Sequence, residues 1–141
     1  MRYNRFETHT NEGSPLTEKA RYWWRLVEYD LETAESLLAT RRYLYVGFLC
    51  HLIIEKSLKA VISGLGSEPP RIHNLARLAE LAGLLQQMTV EQLSVLDSLE
   101  PMNIEGRYPG DIDSLTRTLD AKRCRLMLAQ TEELCKWIRA R

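Results

Sequence analysis

From about Arg42 to Ile62 the chain is apolar on nearly every side of a helical projection through its first half, so this stretch has to be enclosed by the rest of the molecule. Its most apolar part, Tyr43 to Ile54, is interrupted by Gly47 and His51 and falls short of the roughly 20 residues that a membrane span needs. A buried central helix is the expectation, with Gly64 and Gly66 supplying its left-handed stop. The remaining segments must then provide apolar stripes that cover it.

They do so with helical periodicity. Ser14-Pro15 suits a capped helix start, and beyond Ala20 the residues Trp24, Val27, Leu31, Ala34 and Leu38 recur at spacings of three and four, with Glu28, Glu32 and Glu35 on the wet side. After Pro69-Pro70 and His73-Asn74, a third helix is marked by Leu75, Leu78, Ala82 and Leu85. Thr89 and Gln92 form a capping box for a fourth, carrying Val90, Leu93, Leu96 and Leu99 and ending at Pro101. Residues Asn103 to Asp113 read as a loop, and a last helix begins at Asp113 or Ser114 with Leu115, Leu119, Leu126, Leu134 and Ile138 along one line. No segment alternates with the two-residue period of a half-buried strand. The predicted fold is therefore all-α, an up-and-down bundle of four to five helices over residues 14–141, preceded by a flexible tail at 1–13.

With 141 residues, 45% hydrophobic and 27% charged, one ordinary globular domain is expected and a disordered chain is excluded. Nineteen basic residues balance nineteen acidic ones, so no global field steers the protein toward nucleic acid or anionic lipid. Cys50, Cys124 and Cys135 are odd in number and lie in helix-like patterns, which points to a reducing compartment. The first thirteen residues show no apolar core of a secretory signal. Cytosol is the expected location, with no membrane segment.

His51, Glu55 and Lys59 follow one another at four-residue steps and so stack along one line of the central helix, with Lys56 about one hundred degrees from Glu55. Such a line could face a cavity and bind an anion or move a proton, or it could be a solvent stripe with an ordinary Glu55-Lys59 pair. His73, before a helix, could cap it or meet a phosphate. In Gly106-Arg107-Tyr108-Pro109-Gly110 the guanidinium suits phosphate and the phenol offers a stacking face, though the same residues could simply pin the loop. The last helix carries Arg117, Lys122, Arg123, Arg125, Lys136, Arg139 and Arg141 against Asp120, Glu132 and Glu133, a surplus that suits nucleic acid or an ordinary solvated face. Adjacent Trp23 and Trp24 require one ring to leave the core or meet a second subunit. There is no phosphate-binding glycine loop, no nucleophile elbow and no metal-binding Cys or His spacing, so neither cofactor nor metal is expected. Cys50 and His51 diverge on a helix and cannot act as nucleophile and base.

Taken in order, Trp24 through Asp30-Leu31 and Ala34, then Phe48-Leu49-Cys50-His51 leading into Glu55-Lys56-Ser57-Leu58-Lys59-Ala60, then His73-Asn74-Leu75, then Arg107-Tyr108-Pro109 resemble the HEPN domain family. The resemblance implies a bundle similar to the substrate-binding domain of aminoglycoside nucleotidyltransferases, homodimerisation, and a partner that is a separate minimal nucleotidyltransferase, in some cases within a toxin-antitoxin pair. RNA-cleaving members of the family use an Arg, four to six intervening residues and a His on a helix. Here that spacing occurs only from Arg2 to His9, in the expected tail, and the last two helices contain no histidine. The resulting expectation is a non-catalytic subunit that binds a nucleotide through Lys56, Lys59, His73, Arg107 and Tyr108, supported by His51, Glu55 and Pro109. A divergent RNase toxin built on His51, His73 and Arg107 is the alternative, and a structural helical homodimer a second.

Overall fold

A computed structural model describes residues 15–141. The expected tail and the cap at Ser14 lie outside the described residues. Six helices follow one another: α1 (Pro15–Ala39), α2 (Tyr43–Gly64), α3 (Leu75–Leu81), α4 (Val90–Leu99), α5 (Pro109–Thr118) and α6 (Ala121–Arg139). Among the described residues there is no strand, and no helix is long and apolar enough to cross a membrane.

α1 and α2 form an antiparallel hairpin. Its turn closes with Arg41 N donating to Leu38 O at 3.2 Å and Arg42 N to Leu37 O at 2.8 Å, while Arg41 takes the left-handed conformation, φ 63°, that a glycine usually occupies at this place. α6 lies beside α2 and parallel to it. Cys124 Sγ reaches Tyr43 O at 3.7 Å and, roughly three to four turns further along both helices, Cys135 Sγ meets Ser57 Oγ at 3.3 Å. The short helices α3 to α5 make the return path between them.

The central helix is enclosed, as its composition demands. Val46, Cys50, Ile53, Ile54 and Leu58 of α2 are fully buried against Val27, Leu31 and Ala34 of α1 and against Cys124, Leu134, Cys135 and Ile138 of α6. Gly47 is needed for close approach: a Cβ there would stand 2.9 Å from Met102 Sδ. Gly66, φ 93°, supplies the expected left-handed stop, although α2 itself continues through Gly64.

The structure differs from the periodicity reading in the second half. The expected last helix is two helices, because Leu119 is extended and Asp120 starts α6 by accepting Arg123 N on its side chain at 2.8 Å. That break resets the helical phase, so the buried line of α6 runs through Cys124, Met127, Leu128 and Thr131, and Leu126 is exposed. The loop at 103–113 is largely helical, with a 3-10 turn at Ile104–Gly106 and α5 starting at Pro109, whose fixed φ suits a first helical position. α3 is shorter than expected, since Gly83 turns left-handed at φ 75° before a 3-10 turn at Leu85–Gln87. The Thr89/Gln92 capping box is present in full. Glu28 is not a wet-face residue: it pairs with Arg139 at 3.1 Å, each side chain 13% exposed.

Candidate functional site

The polar line of α2 faces inward. His51, Glu55 and Lys59 are all buried, which removes the solvent-stripe reading. Glu55 is the hub. Its Oε2 accepts from Lys59 Nζ at 3.0 Å, its Oε1 lies 3.0 Å from His73 Nδ1, and the same oxygen is 3.6 Å from His51 Nδ1. Burial of the Glu55–Lys59 pair costs each ion its hydration, and the contact is stable only because both remain partnered. The Lys59 ammonium also sits over the Trp23 ring, 5.8 Å from its centre, where the negative face of the indole attracts it.

His73 is the member of this cluster that reaches the surface, its side chain 48% exposed. It does not cap α3. Asn74 does so, its Oδ1 accepting Arg77 N at 2.8 Å, which leaves the His73 ring to the Glu55 carboxylate. A carboxylate on one ring nitrogen fixes the orientation of the imidazole and leaves the other nitrogen for a ligand or a proton.

His51 is wholly enclosed. Among the described residues neither of its ring nitrogens has a hydrogen-bond partner, although Glu55 Oε1 and Glu100 Oε1 lie 3.6 and 3.9 Å away. Burial holds the ring below the usual histidine range, against the pull of the Glu55 and Glu100 carboxylates. Burial thus disfavours the charged form of this ring. Glu100, which the sequence did not single out, closes the cluster from the end of α4 by accepting the Leu75 backbone N–H. Only tertiary proximity marks it.

Lys56 points elsewhere. It pairs with Asp30 of α1 at 2.6 Å, where burial pushes the Asp30 carboxyl up while the ammonium pulls it back. The expected pairing of Lys56 with Lys59 in one anion site is thus divided, because one hundred degrees of helix rotation sends the two ammonium groups to different carboxylates. Arg107 is half-buried, and Tyr108 is 80% exposed just ahead of Pro109. Among the described residues, no hydrogen bond or ion pair joins Arg107 or Tyr108 to the Glu55 cluster.

The adjacent tryptophans both find partners within the chain. Trp23 meets Lys59 and, edge to face, Tyr22, while Trp24 lies under the Arg139 guanidinium at 4.8 Å. They do not by themselves demand a second subunit. An open depression of about 420 Å³ lined by Tyr22, Trp23 and Ser63 shares Trp23 with the cluster, whereas a groove of about 460 Å³ between α4 and α6 shares no residue with it. The cysteines are all buried and unpaired, and desolvation raises the Cys50 thiol to about 12 and that of Cys135 to about 11, so neither is a nucleophile. Among the described residues no group of His, Cys, Asp and Glu side chains could hold a metal ion.

A model of the HEPN domain family matches residues 20–141. The chain belongs to the HEPN domain family. No curated protein and no solved structure matches it. The family match covers all the residues described above as the cluster, from Trp23 on α1 to Glu100 after α4, and the Arg107-Tyr108 segment as well. This HEPN domain thus has a central helix whose cations are already neutralised, one surface histidine positioned by a buried carboxylate, and a half-buried Arg107 followed by an exposed Tyr108.

Proposed function

We propose that this HEPN protein is a non-catalytic subunit that binds a nucleotide and acts with a separate minimal nucleotidyltransferase. The observation that carries the reading is the Glu55–His73 contact: a buried carboxylate holds the one described imidazole that reaches solvent, so His73 is a fixed hydrogen-bonding group beside an otherwise self-neutralised cluster. Lys59 and Lys56 support the site by position and not as phosphate ligands, since each is committed to a carboxylate. Charge for a phosphate would come from Arg107, and a stacking face from Tyr108.

Catalysis by proton transfer needs a second titrating group in reach of the first. His51 is enclosed, and α4, α5 and α6 carry no histidine. The RNA-cleaving reading is nevertheless favoured by one feature, the carboxylate-histidine pair itself, which resembles a general base.

Thermal melting with nucleoside triphosphates separates the two. At ten times Kd, binding adds RT ln 11, about 1.4 kcal/mol, and raises Tm by roughly 5 °C; His73→Ala and Arg107→Ala remove the shift. Absence of any shift at millimolar nucleotide defeats the binding reading. Cleavage of RNA by purified protein that vanishes in His73→Ala establishes the RNase instead.

A further inference from the structure

Because α1 and α2 run antiparallel, the start of α1 lies beside the end of α2, and the chain leaving α2 is folded back there. Gly66 makes the reversal at φ 93°, with Gly66 N donating to Ser63 O at 3.0 Å and Ser67 N to Ile62 O at 3.3 Å. Glu68 is thereby brought to Lys19 of α1, its Oε2 lying 3.3 Å from Nζ. The depression of about 420 Å³ at this open end of the hairpin is lined by Glu18, Lys19, Tyr22, Trp23, Ser63 and Glu68, a volume in the range of small-molecule sites.

Ser63 is 1% exposed, and among the described residues its Oγ has no hydrogen-bond partner. A buried hydroxyl left unpaired is an exception in a folded protein, and at the wall of a depression a ligand can supply the missing bond. The Tyr22 and Trp23 rings meet edge to face, their centroids 6.0 Å and their planes 69° apart. Trp23 already draws one ammonium, that of Lys59 at 5.8 Å, as the negative face of an indole does. The charged lining is two carboxylates against one ammonium. That ammonium is held by Glu68 in an ion pair whose side chains are 64% and 80% exposed, open enough to exchange.

We propose that this depression binds a linear aliphatic polyamine. A primary ammonium donates to a hydroxyl and to a carboxylate at once, its methylene chain lies along the aromatic wall, and a second ammonium meets the second carboxylate. The surplus of carboxylates disfavours an anion, and a neutral apolar ligand would strip water from them with nothing in exchange. None of the lining residues belongs to the Glu55–His73 contact, so the site does not depend on the nucleotide reading.

Isothermal titration calorimetry of the full chain with spermidine at low salt tests it. Binding has a Kd on the order of 0.1 to 1 mM, weak because the paired carboxylates are exposed. Glu18→Gln with Glu68→Gln, both exposed positions, weakens it about tenfold or more at unchanged melting temperature, while His73→Ala leaves it as it was. Ser63→Ala, which removes the unpaired hydroxyl, weakens spermidine about fivefold. A bis-trimethylammonium alkane of matching length has no N–H to donate; it binds less tightly than spermidine and does not respond to Ser63→Ala. The proposal is overturned by the absence of binding at millimolar spermidine, or by binding that the double Gln substitution leaves unchanged, which would mark a diffuse counterion effect. Equal affinity for spermidine and the quaternary compound also overturns it, since the hydroxyl would then take no part.

Discussion

Glu55 ties three side chains from two elements to one carboxylate, and each of them responds differently to its loss. Glu55→Ala strands the Lys59 ammonium in a buried position, which costs about 3 to 5 kcal/mol for a broken buried pair; urea unfolding measures this, and a loss under 1 kcal/mol would show the pair to be solvated. Glu55→Gln keeps the volume and still accepts from Lys59, so it costs less but changes the His73 contact. His51 gives a pH-dependent prediction. Its folded-state pKa lies below the unfolded value near 6.5, so as pH falls through 6.5 the unfolded chain takes up a proton that the folded chain resists. Stability is thus complete above that pH and declines below it, toward the folded pKa. His51→Leu removes the penalty together with two unpartnered polar atoms, so its Tm advantage over the natural chain widens between pH 7 and pH 5. A constant difference across that range would mean that His51 does not titrate against folding.

At the scale of elements, two helix ends carry measurable energies. Asp120 begins α6 through its bond to Arg123 N, and Asp120→Ala costs about 1 kcal/mol, the usual value of an N-cap. Arg41→Gly acts in the opposite direction, relieving the left-handed strain at the end of α1 and stabilising the fold by about 1 kcal/mol. The interruption between α5 and α6 follows from that capping Asp120, preceded by an extended Leu119. A periodicity count passes over it because Leu115 and Leu119 remain in step with one helical face.

For the molecule as a whole, the core is a chemical barrier. Cys50, Cys124 and Cys135 are buried thiols whose pKa values are all raised by desolvation. An aromatic disulfide reagent should leave the native protein unmodified for hours and titrate three thiols in denaturant; rapid reaction of the native state would indicate local opening of α6. The homodimer that the family resemblance implies is tested by sedimentation velocity at micromolar concentration, where a dimer separates from a 16.4 kDa monomer. The groove between α4 and α6, with Val95, Leu134 and Trp137, is the natural place to introduce a charge if a dimer forms.

Sequence alone determined the elements whose residues answer to local rules. The enclosed character of α2 follows from a first half that is apolar on nearly every side, the amphipathic α1 from apolar residues at three- and four-residue spacings, and the start of α4 from a capping box between residues three apart. It also placed His51, Glu55 and Lys59 on one line, because four-residue spacing fixes direction around a helix axis. What it left open was which way that line faced, since a polar stripe is equally consistent with solvent or with a buried partner until the opposing segments are positioned. Only the tertiary structure turned the stripe inward, brought His73 from 18 residues away onto Glu55, sent Lys56 to Asp30 and added Glu100. The approach of the start of α2 to the start of α6 was likewise decided by packing, because residues about 80 positions apart become neighbours through the burial of α2 and through no pattern of their own.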